Sequence, residues 1–201
     1  MNKHATTLFS VLSLLALGRL EAICDEASQQ LTVTGRVSYL SFISSPLKEI
    51  YHAGPYYELT ETIPFYKGLH AWMGIGYFQK TGHSLGSSSK TGIQLVPITL
   101  GPKFLYQVDR AVPYIGIGVR ALYTHTTDDS PLVRKHIAKW GPGAVAEIGS
   151  LFLLTDHLFI DANGGYSYAK VRAPKPKFPN ITTAPLTVEE WHVGLGIGYK
   201  F

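Results

Sequence analysis

The last twelve residues of the chain, 190–201, alternate between two kinds of side chain. Because successive side chains of a β-strand point to opposite faces, this alternation gives a strand with one wholly apolar face and one small or polar face. Aromatic residues stand at both ends of the apolar face, with aliphatic residues between them, which is typical of a strand that crosses a bilayer between two interfacial girdles. The apolar set comprises Trp191, Val193, Leu195, Ile197, Tyr199 and Phe201.

The composition favours β-structure and gives little support for nucleic-acid binding. Only 16% of the residues are charged, against a usual share of about 25%. Twelve per cent are aromatic and twenty residues are glycine, which is costly inside helices. The net charge of +4 is too small and too dispersed to indicate a nucleic-acid partner.

The first 22 residues predict a secretory signal peptide. Lys3 and His4 precede the apolar run 5–17, and small residues at Gly18 and Ala22 offer two cleavage positions. A membrane anchor is the alternative, but the apolar run is short for one. The domain that remains is 23–201. Its single cysteine, Cys24, excludes an internal disulfide, and lipid attachment at this residue is a further alternative.

Seven further segments show the same alternation, so the sequence predicts eight strands. An even number of strands closes an antiparallel up-and-down barrel with both chain ends on one side. Two features disturb the pattern. Glu61 falls on the apolar face, which indicates either a position at the membrane interface or a bulge. Pro97 and Pro102 predict a local bulge in their strand. The seven segments are 31–42, 56–63, 69–78, 96–106, 114–125, 140–152 and 158–168.

The connections between these segments alternate in length. Segments 65–68, 107–112 and 154–157 are short, whereas the other four connections are long and rich in Ser, Gly, Pro and Lys. Short turns at one end and long loops at the other are typical of transmembrane barrels. A secreted, soluble ligand-binding barrel has a similar strand count, with its apolar face inside. Lipid outside is favoured because the charged face is also the glycine-rich face. The long connections are 43–55, 80–92, 126–139 and 171–186.

Three motifs resemble the small eight-stranded outer-membrane barrel proteins, the OmpA/OmpX/OmpW-like superfamily. They are Val96–Gly101, Pro113–Gly118 and the ending Gly194–Phe201. The resemblance implies a place in the bacterial outer membrane, with short periplasmic turns and long extracellular loops. It also implies that Phe201 is a sorting signal read by the barrel-assembly machinery. Members of this superfamily range from structural barrels to narrow channels and adhesins.

The predicted strands place eight charged side chains inside the barrel. Four bases facing four acids could cancel there, because buried charges are tolerated when they are paired. Such a network would be either a polar plug or the lining of a narrow pore. The eight residues are Arg36, Glu58, Lys103, Arg120, Glu147, Asp161, Glu190 and Lys200.

The remaining chemistry-bearing residues favour a non-enzymatic protein without a cofactor. The eight histidines show no spacing of a defined metal site, and no nucleotide-binding loop is indicated. The alternative is a lipid A-modifying barrel enzyme, for which His83 with Ser84, or His125 with Asp128, Asp129 and Ser130, supply the residue types. We expect a monomer whose partners are outer-membrane lipids and lipopolysaccharide. The cations expected on the long loops are Lys80, Lys90, Arg134, Lys135, Lys139, Lys175 and Lys177.

Overall fold

The computed structural model describes residues 30–66, 68–83, 89–129, 136–171 and 186–201. Eight antiparallel strands pair in sequence order, and the last pairs with the first to close a barrel. The strands are β1 (Thr32–Phe42), β2 (Ala53–Tyr66), β3 (Leu69–His83), β4 (Lys90–Leu105), β5 (Ala111–Asp128), β6 (His136–Leu153), β7 (Leu158–Val171) and β8 (Leu186–Lys200). The predicted signal peptide and Cys24 lie outside the described residues.

The strands are strongly staggered around the barrel. A line of paired residues that leaves β8 at Tyr199 passes through Val33 on β1 and returns to β8 at Glu189, ten residues earlier. Strand number, stagger and tilt are linked, and eight strands leave an interior just wide enough for side chains to fill. Whatever occupies the lumen therefore comes from the inward-facing side chains.

The predicted division into two faces is confirmed. The outward positions carry exposed apolar residues, among them Val37, Ile117 and Leu195, whereas Thr34, Arg36 and their counterparts are buried inside. A closed barrel with an apolar outer surface is the arrangement of a transmembrane β-barrel. No helix among the described residues is long and apolar enough to cross a membrane.

Neither of the two bulges considered from the sequence is present. Glu61 points outward and pairs in unbroken register with Val33 and Met73, so no bulge is present there. The register is also the same before and after Pro97 and Pro102, so the bulge predicted in β4 is wrong. The irregularity lies instead between β2 and β3, at Pro64 and Tyr66, where the chain enters the turn that contains Gly68. Gly68 has φ 71°, a conformation that favours glycine.

At the end of the barrel that carries the long connections, here called the long-loop end, β3 to β6 continue beyond their predicted limits. Residues expected in loops, including His83, Lys90 and His136, belong to these strands. An antiparallel ladder needs only paired backbone groups, and the threonine-rich segment 124–127 suits it without an apolar face. Of the expected loop cations, Arg134, Lys135, Lys175 and Lys177 lie outside the described residues.

The connection between β1 and β2 contains a short helix, α1 (Ser45–Tyr51), where only a loop was expected. Pro46 stands in its first turn, and Leu47 and Tyr51, four residues apart, share one buried face. The Tyr51 hydroxyl lies 2.9 Å from Oγ1 of Thr91 on β4. The helix therefore folds over the mouth of the barrel at the long-loop end.

Two apolar clusters fill the two ends of the lumen. The cluster at the long-loop end, which we call the upper cluster, includes Phe42, Phe78 and Leu122 and packs against Leu47 and Tyr51 of α1. The cluster at the opposite, short-turn end, which we call the lower cluster, comprises Val112, Tyr114, Leu151 and Phe159. The charged interior lies between them.

Candidate functional site in the barrel interior

Arg36 of β1 is the centre of the first of two ion-pair networks, which we call the Arg36 network. Its Nε donates to Oδ2 of Asp161 at 2.6 Å, and its Nη1 lies 3.1 Å from Glu58 and 3.0 Å from Glu147. Its Nη2 donates to the Tyr114 hydroxyl at 3.0 Å, and that hydroxyl donates to Oδ1 of Asp161 at 2.8 Å. One guanidinium thus satisfies three carboxylates, using the planar fork of donors that arginine provides.

Lys103 of β4 extends the Arg36 network. Its Nζ lies 2.9 Å from Oε1 of Glu147 and sits over the rings of Trp72 and Tyr114, at 4.5 and 4.3 Å from their centroids. An ammonium group over an aromatic face is attracted by the ring quadrupole, most strongly when it is desolvated. Trp72 thereby connects β3 to the network.

Arg120 of β5 is the centre of the second network, which we call the Arg120 network. Its Nη1 donates at 2.7 Å both to Oε1 of Glu190 and to the Ser167 hydroxyl, and its Nε donates to Thr99 at 3.2 Å. Ser167 in turn donates to Oε1 of Glu190 at 2.8 Å. Together, the two networks and Trp72 involve all eight strands, so they fix the relative positions of the whole wall.

The predicted interior set is gathered with one exception. Seven of the eight residues are buried in these networks, but Lys200 is only half-buried, at the short-turn end, and makes no ion pair with any described residue. The expected balance of four bases and four acids is therefore wrong. Three bases face four acids in the buried interior, because inward parity alone does not indicate how close a residue lies to the open end of a strand.

Glycines make room for the long interior side chains, as their place on the inward face suggested. A Cβ atom at Gly196 would lie 2.8 Å from Cγ of Arg36, and one at Gly165 would lie 2.5 Å from Cε1 of His192. Both separations are shorter than real Cβ contacts, so a side chain at either position would displace its neighbour. The arginine or histidine of the neighbouring strand thus occupies the space that an inward glycine leaves free.

Several participants were missed by sequence reasoning. Tyr114, Tyr56, Ser167 and Thr99 supply hydroxyl groups, and the Tyr56 hydroxyl donates to Oε1 of Glu58 at 3.2 Å. Each of them lies on the inward parity of its strand, so the signal was present. His192 also lies on the inward face, is buried, and has its ring centroid 5.6 Å from that of Tyr56.

The residues suggested for an enzyme are only partly described, and His125 and Asp128 lie on opposite faces of β5. His125 is on the outward face of β5, whereas Asp128, an odd number of residues away, has the opposite parity. The ring nearest to His125 is His136 of β6, with centroids 5.9 Å apart. His83 is exposed at the end of β3, and Ser84 and Ser130 lie outside the described residues. No cluster of three or more metal-ligating side chains occurs in the described part of the chain.

Solved structures show what this barrel is similar to. Over 87% of this chain and 98% of the other, it resembles the Neisserial surface protein A (NspA), with TM-score 0.55 and 12% identity. It also resembles the outer membrane protein OprG from Pseudomonas aeruginosa, with TM-score 0.57 and 18% identity over 88% and 97% of the two chains. A third is Ail, the attachment invasion locus protein of Yersinia pestis, solved with the heparin analogue sucrose octasulfate, with TM-score 0.51 and 14% identity over 86% and 97%.

No protein-family model and no curated protein matches the sequence. The structural likenesses establish the fold class, which is the eight-stranded outer-membrane β-barrel. The apolar outer surface and the closed strand order agree with that class.

Proposed function

We propose that this chain is a non-enzymatic, integral barrel of the bacterial outer membrane whose lumen is a closed polar plug. The observation that carries the proposal is the arrangement inside the barrel: the two ion-pair networks are held between the upper and lower apolar clusters. A water-filled pathway would have to break buried charge pairs, each costing about 3–5 kcal/mol when one partner is removed. The upper cluster and α1 block the same path with apolar side chains.

The test of the closed lumen is conductance across planar bilayers. We expect no stable conductance steps from the wild-type protein. Conductance steps that change in the Arg120→Ala variant but not in Lys170→Gln would show that the lumen conducts and would refute the plug. Lys170→Gln is the control because it removes a charge from the outer surface. Heat-modifiable migration of the membrane-fraction protein on gels serves as the control that each sample is a folded barrel.

We also propose that the long-loop end of the barrel binds the anionic headgroups of lipopolysaccharide. Lys90 on β4 and Lys170 on β7 are exposed there, and Lys170 Nζ lies 5.8 Å from the ring centroid of Tyr168. Tyr123 and Trp140, with ring centroids 5.2 Å apart, add aromatic side chains at the same end. Cations close to aromatic interface residues suit phosphorylated lipid headgroups.

Binding of purified lipopolysaccharide to the barrel in zwitterionic detergent tests this contact. Removing two cations at the long-loop end, in Lys90→Gln/Lys170→Gln, is expected to weaken binding about thirtyfold, since each cation near an anionic lipid surface contributes about 1 kcal/mol. The matched control, Arg110→Gln/Lys200→Gln, removes the same charge at the short-turn end and should leave binding unchanged. Equal effects of the two pairs would refute a specific contact.

Two further parts of the proposal concern export and assembly. Residues 1–22 act as a signal peptide, so the membrane form should begin at residue 19 or 23 by mass. The segment ending at Phe201 is the element recognised by the barrel-assembly machinery; its ring is exposed and lies 5.0 Å from that of Tyr199. Replacing Phe201 by alanine should lower the amount of heat-modifiable barrel in the membrane, whereas Phe65→Ala, another exposed ring at that end, should not.

A further inference from the structure

Two histidines from different strands meet on the outer surface at the long-loop end. The ring centroids of His125 on β5 and His136 on β6 are 5.9 Å apart, and the ring planes are inclined by 39°. His136 is paired with Thr127, which is the next outward residue after His125, so the two histidines are diagonal neighbours on one face. The spacing of 125 and 136 along the sequence matches no metal-binding motif, and only the pairing of β5 with β6 brings them together.

The pair is accessible and its backbone is held by the ladder. His125 is half-buried and His136 is exposed. The ladder between β5 and β6 continues to the pair Thr127 and His136, and the Thr124 hydroxyl donates to the carbonyl oxygen of Lys139 at 3.2 Å. Within the described part of the chain, the two rings contact one another and neither side chain makes a hydrogen bond or an ion pair. Their ring nitrogens are therefore available to a ligand from solution.

The chemistry of two adjacent imidazoles suits a metal ion. Imidazole nitrogen is a good ligand for divalent transition metals such as Zn²⁺, Ni²⁺ and Cu²⁺. With Zn–N bonds of about 2.0–2.1 Å, the ion lies about 3 Å from each ring centroid, so two rings that share a tetrahedral ion have centroids about 5 Å apart. A small rotation of the exposed His136 side chain closes the difference from the observed 5.9 Å.

We propose that His125 and His136 bind one divalent transition-metal ion between β5 and β6. Two protein ligands leave the other coordination positions to water, so the ion exchanges with the medium. This site goes beyond the closed lumen and the lipopolysaccharide contact, and it depends on neither of them.

The bound ion would link the ends of the two longest strands of the described chain. β5 and β6 have 18 residues each, and both histidines lie beyond Tyr123 and Trp140, near the open end of the ladder. A ligand stabilises the state that binds it, and this ion binds only where both strands are paired. The metal would therefore hold the two strands together at the end that the ladder alone secures.

Zinc titration of the full-length barrel, purified without a histidine tag in uncharged detergent, tests the site. We expect one Zn²⁺ per chain by calorimetry. Replacing either histidine by phenylalanine keeps the ring contact but removes the ligand atoms. Each variant should weaken binding at least about tenfold, since even the loss of an outer-shell partner costs 10–100-fold. His83→Phe, at an exposed histidine at the end of β3, is the control and should bind as wild type does. Mg²⁺, which prefers oxygen ligands, should not bind.

Three outcomes of the titration would overturn the proposal. They are the absence of zinc binding to wild type, equal affinity of wild type and His136→Phe, and an equal loss of affinity in His83→Phe. Heat-modifiable migration on gels confirms that each sample is a folded barrel, and all three substitutions are at the rim, outside the buried interior.

Hydrogen exchange shows whether the ion links the strands. Zn²⁺ should slow the exchange of the amides in segments 124–127 and 136–139 of wild type and leave the same amides of His136→Phe unchanged. An equal effect of Zn²⁺ on both proteins would place the metal elsewhere and refute the site.

Discussion

Arg36 on β1 reaches across β8 to Asp161 on β7, and the residue between them in the sheet is Gly196. Arg36 pairs with Gly196 in one ladder and Gly196 pairs with Asp161 in the next. The guanidinium can span the intervening strand because Gly196 has no side chain to obstruct it. The glycine of the C-terminal strand is therefore part of the Arg36–Asp161 ion pair, although it makes no polar contact of its own.

A methyl group at Gly196 should loosen this pair. We expect Gly196→Ala to lower the free energy of unfolding by about 1–3 kcal/mol, because the new Cβ would lie 2.8 Å from Cγ of Arg36 and from the carbonyl oxygen of Gly35. Urea unfolding of the barrel in lipid vesicles measures the change. Gly164→Ala is the matched control, since a Cβ there has only one neighbour, at 3.6 Å. Equal destabilisation of the two variants would contradict the steric argument.

The Arg120 network should show strong coupling between its two charges. Arg120→Met leaves the buried carboxylate of Glu190 without its cation and is expected to cost about 3–5 kcal/mol of unfolding free energy. In the double variant with Glu190→Gln, the unpaired charge is gone, so the combined cost should be clearly smaller than the sum of the two single costs. Simple additivity in the same unfolding assay would show that the pair is not coupled.

The sequence predicted the barrel well because the alternation of apolar and polar residues is a local property of each strand. It also identified seven of the buried charges, since parity decides which side chains face inward. It could not show which inward residues lie near an open end, and Lys200 was misplaced for that reason. The upper cluster was missed, although Leu40, Phe78 and Leu122 are apolar residues at inward positions of their strands.

Lys103 and Lys200 have the same side chain and the same inward parity but should differ in their effect on stability. Lys103 is buried and paired with Glu147, so Lys103→Gln is expected to cost about 3 kcal/mol or more. Lys200 is half-buried and makes no ion pair with a described residue, so Lys200→Gln should change the unfolding free energy by less than about 0.5 kcal/mol. Comparable losses in the two variants would place Lys200 back in the interior network.

Helix α1 should leave the barrel mouth in alkaline solution. Burial raises the pKa of the Tyr51 phenol above its ordinary value, the hydrogen bond with Thr91 opposes this shift, and the negative charge of Asp128 adds to it. A raised pKa in the folded state means that the protonated phenol is favoured there. The contribution of Tyr51 to docking is thus complete below the pKa of a free tyrosine and is lost as the pH rises through the raised value. Hydrogen exchange of the α1 amides, corrected for the intrinsic pH effect, should show this loss in wild type. Tyr51→Phe has no phenol proton to lose, so the protection of its α1 amides should be the same below the pKa of free tyrosine and above the raised pKa. Equal pH dependence of the two proteins would exclude Tyr51 as the titrating group.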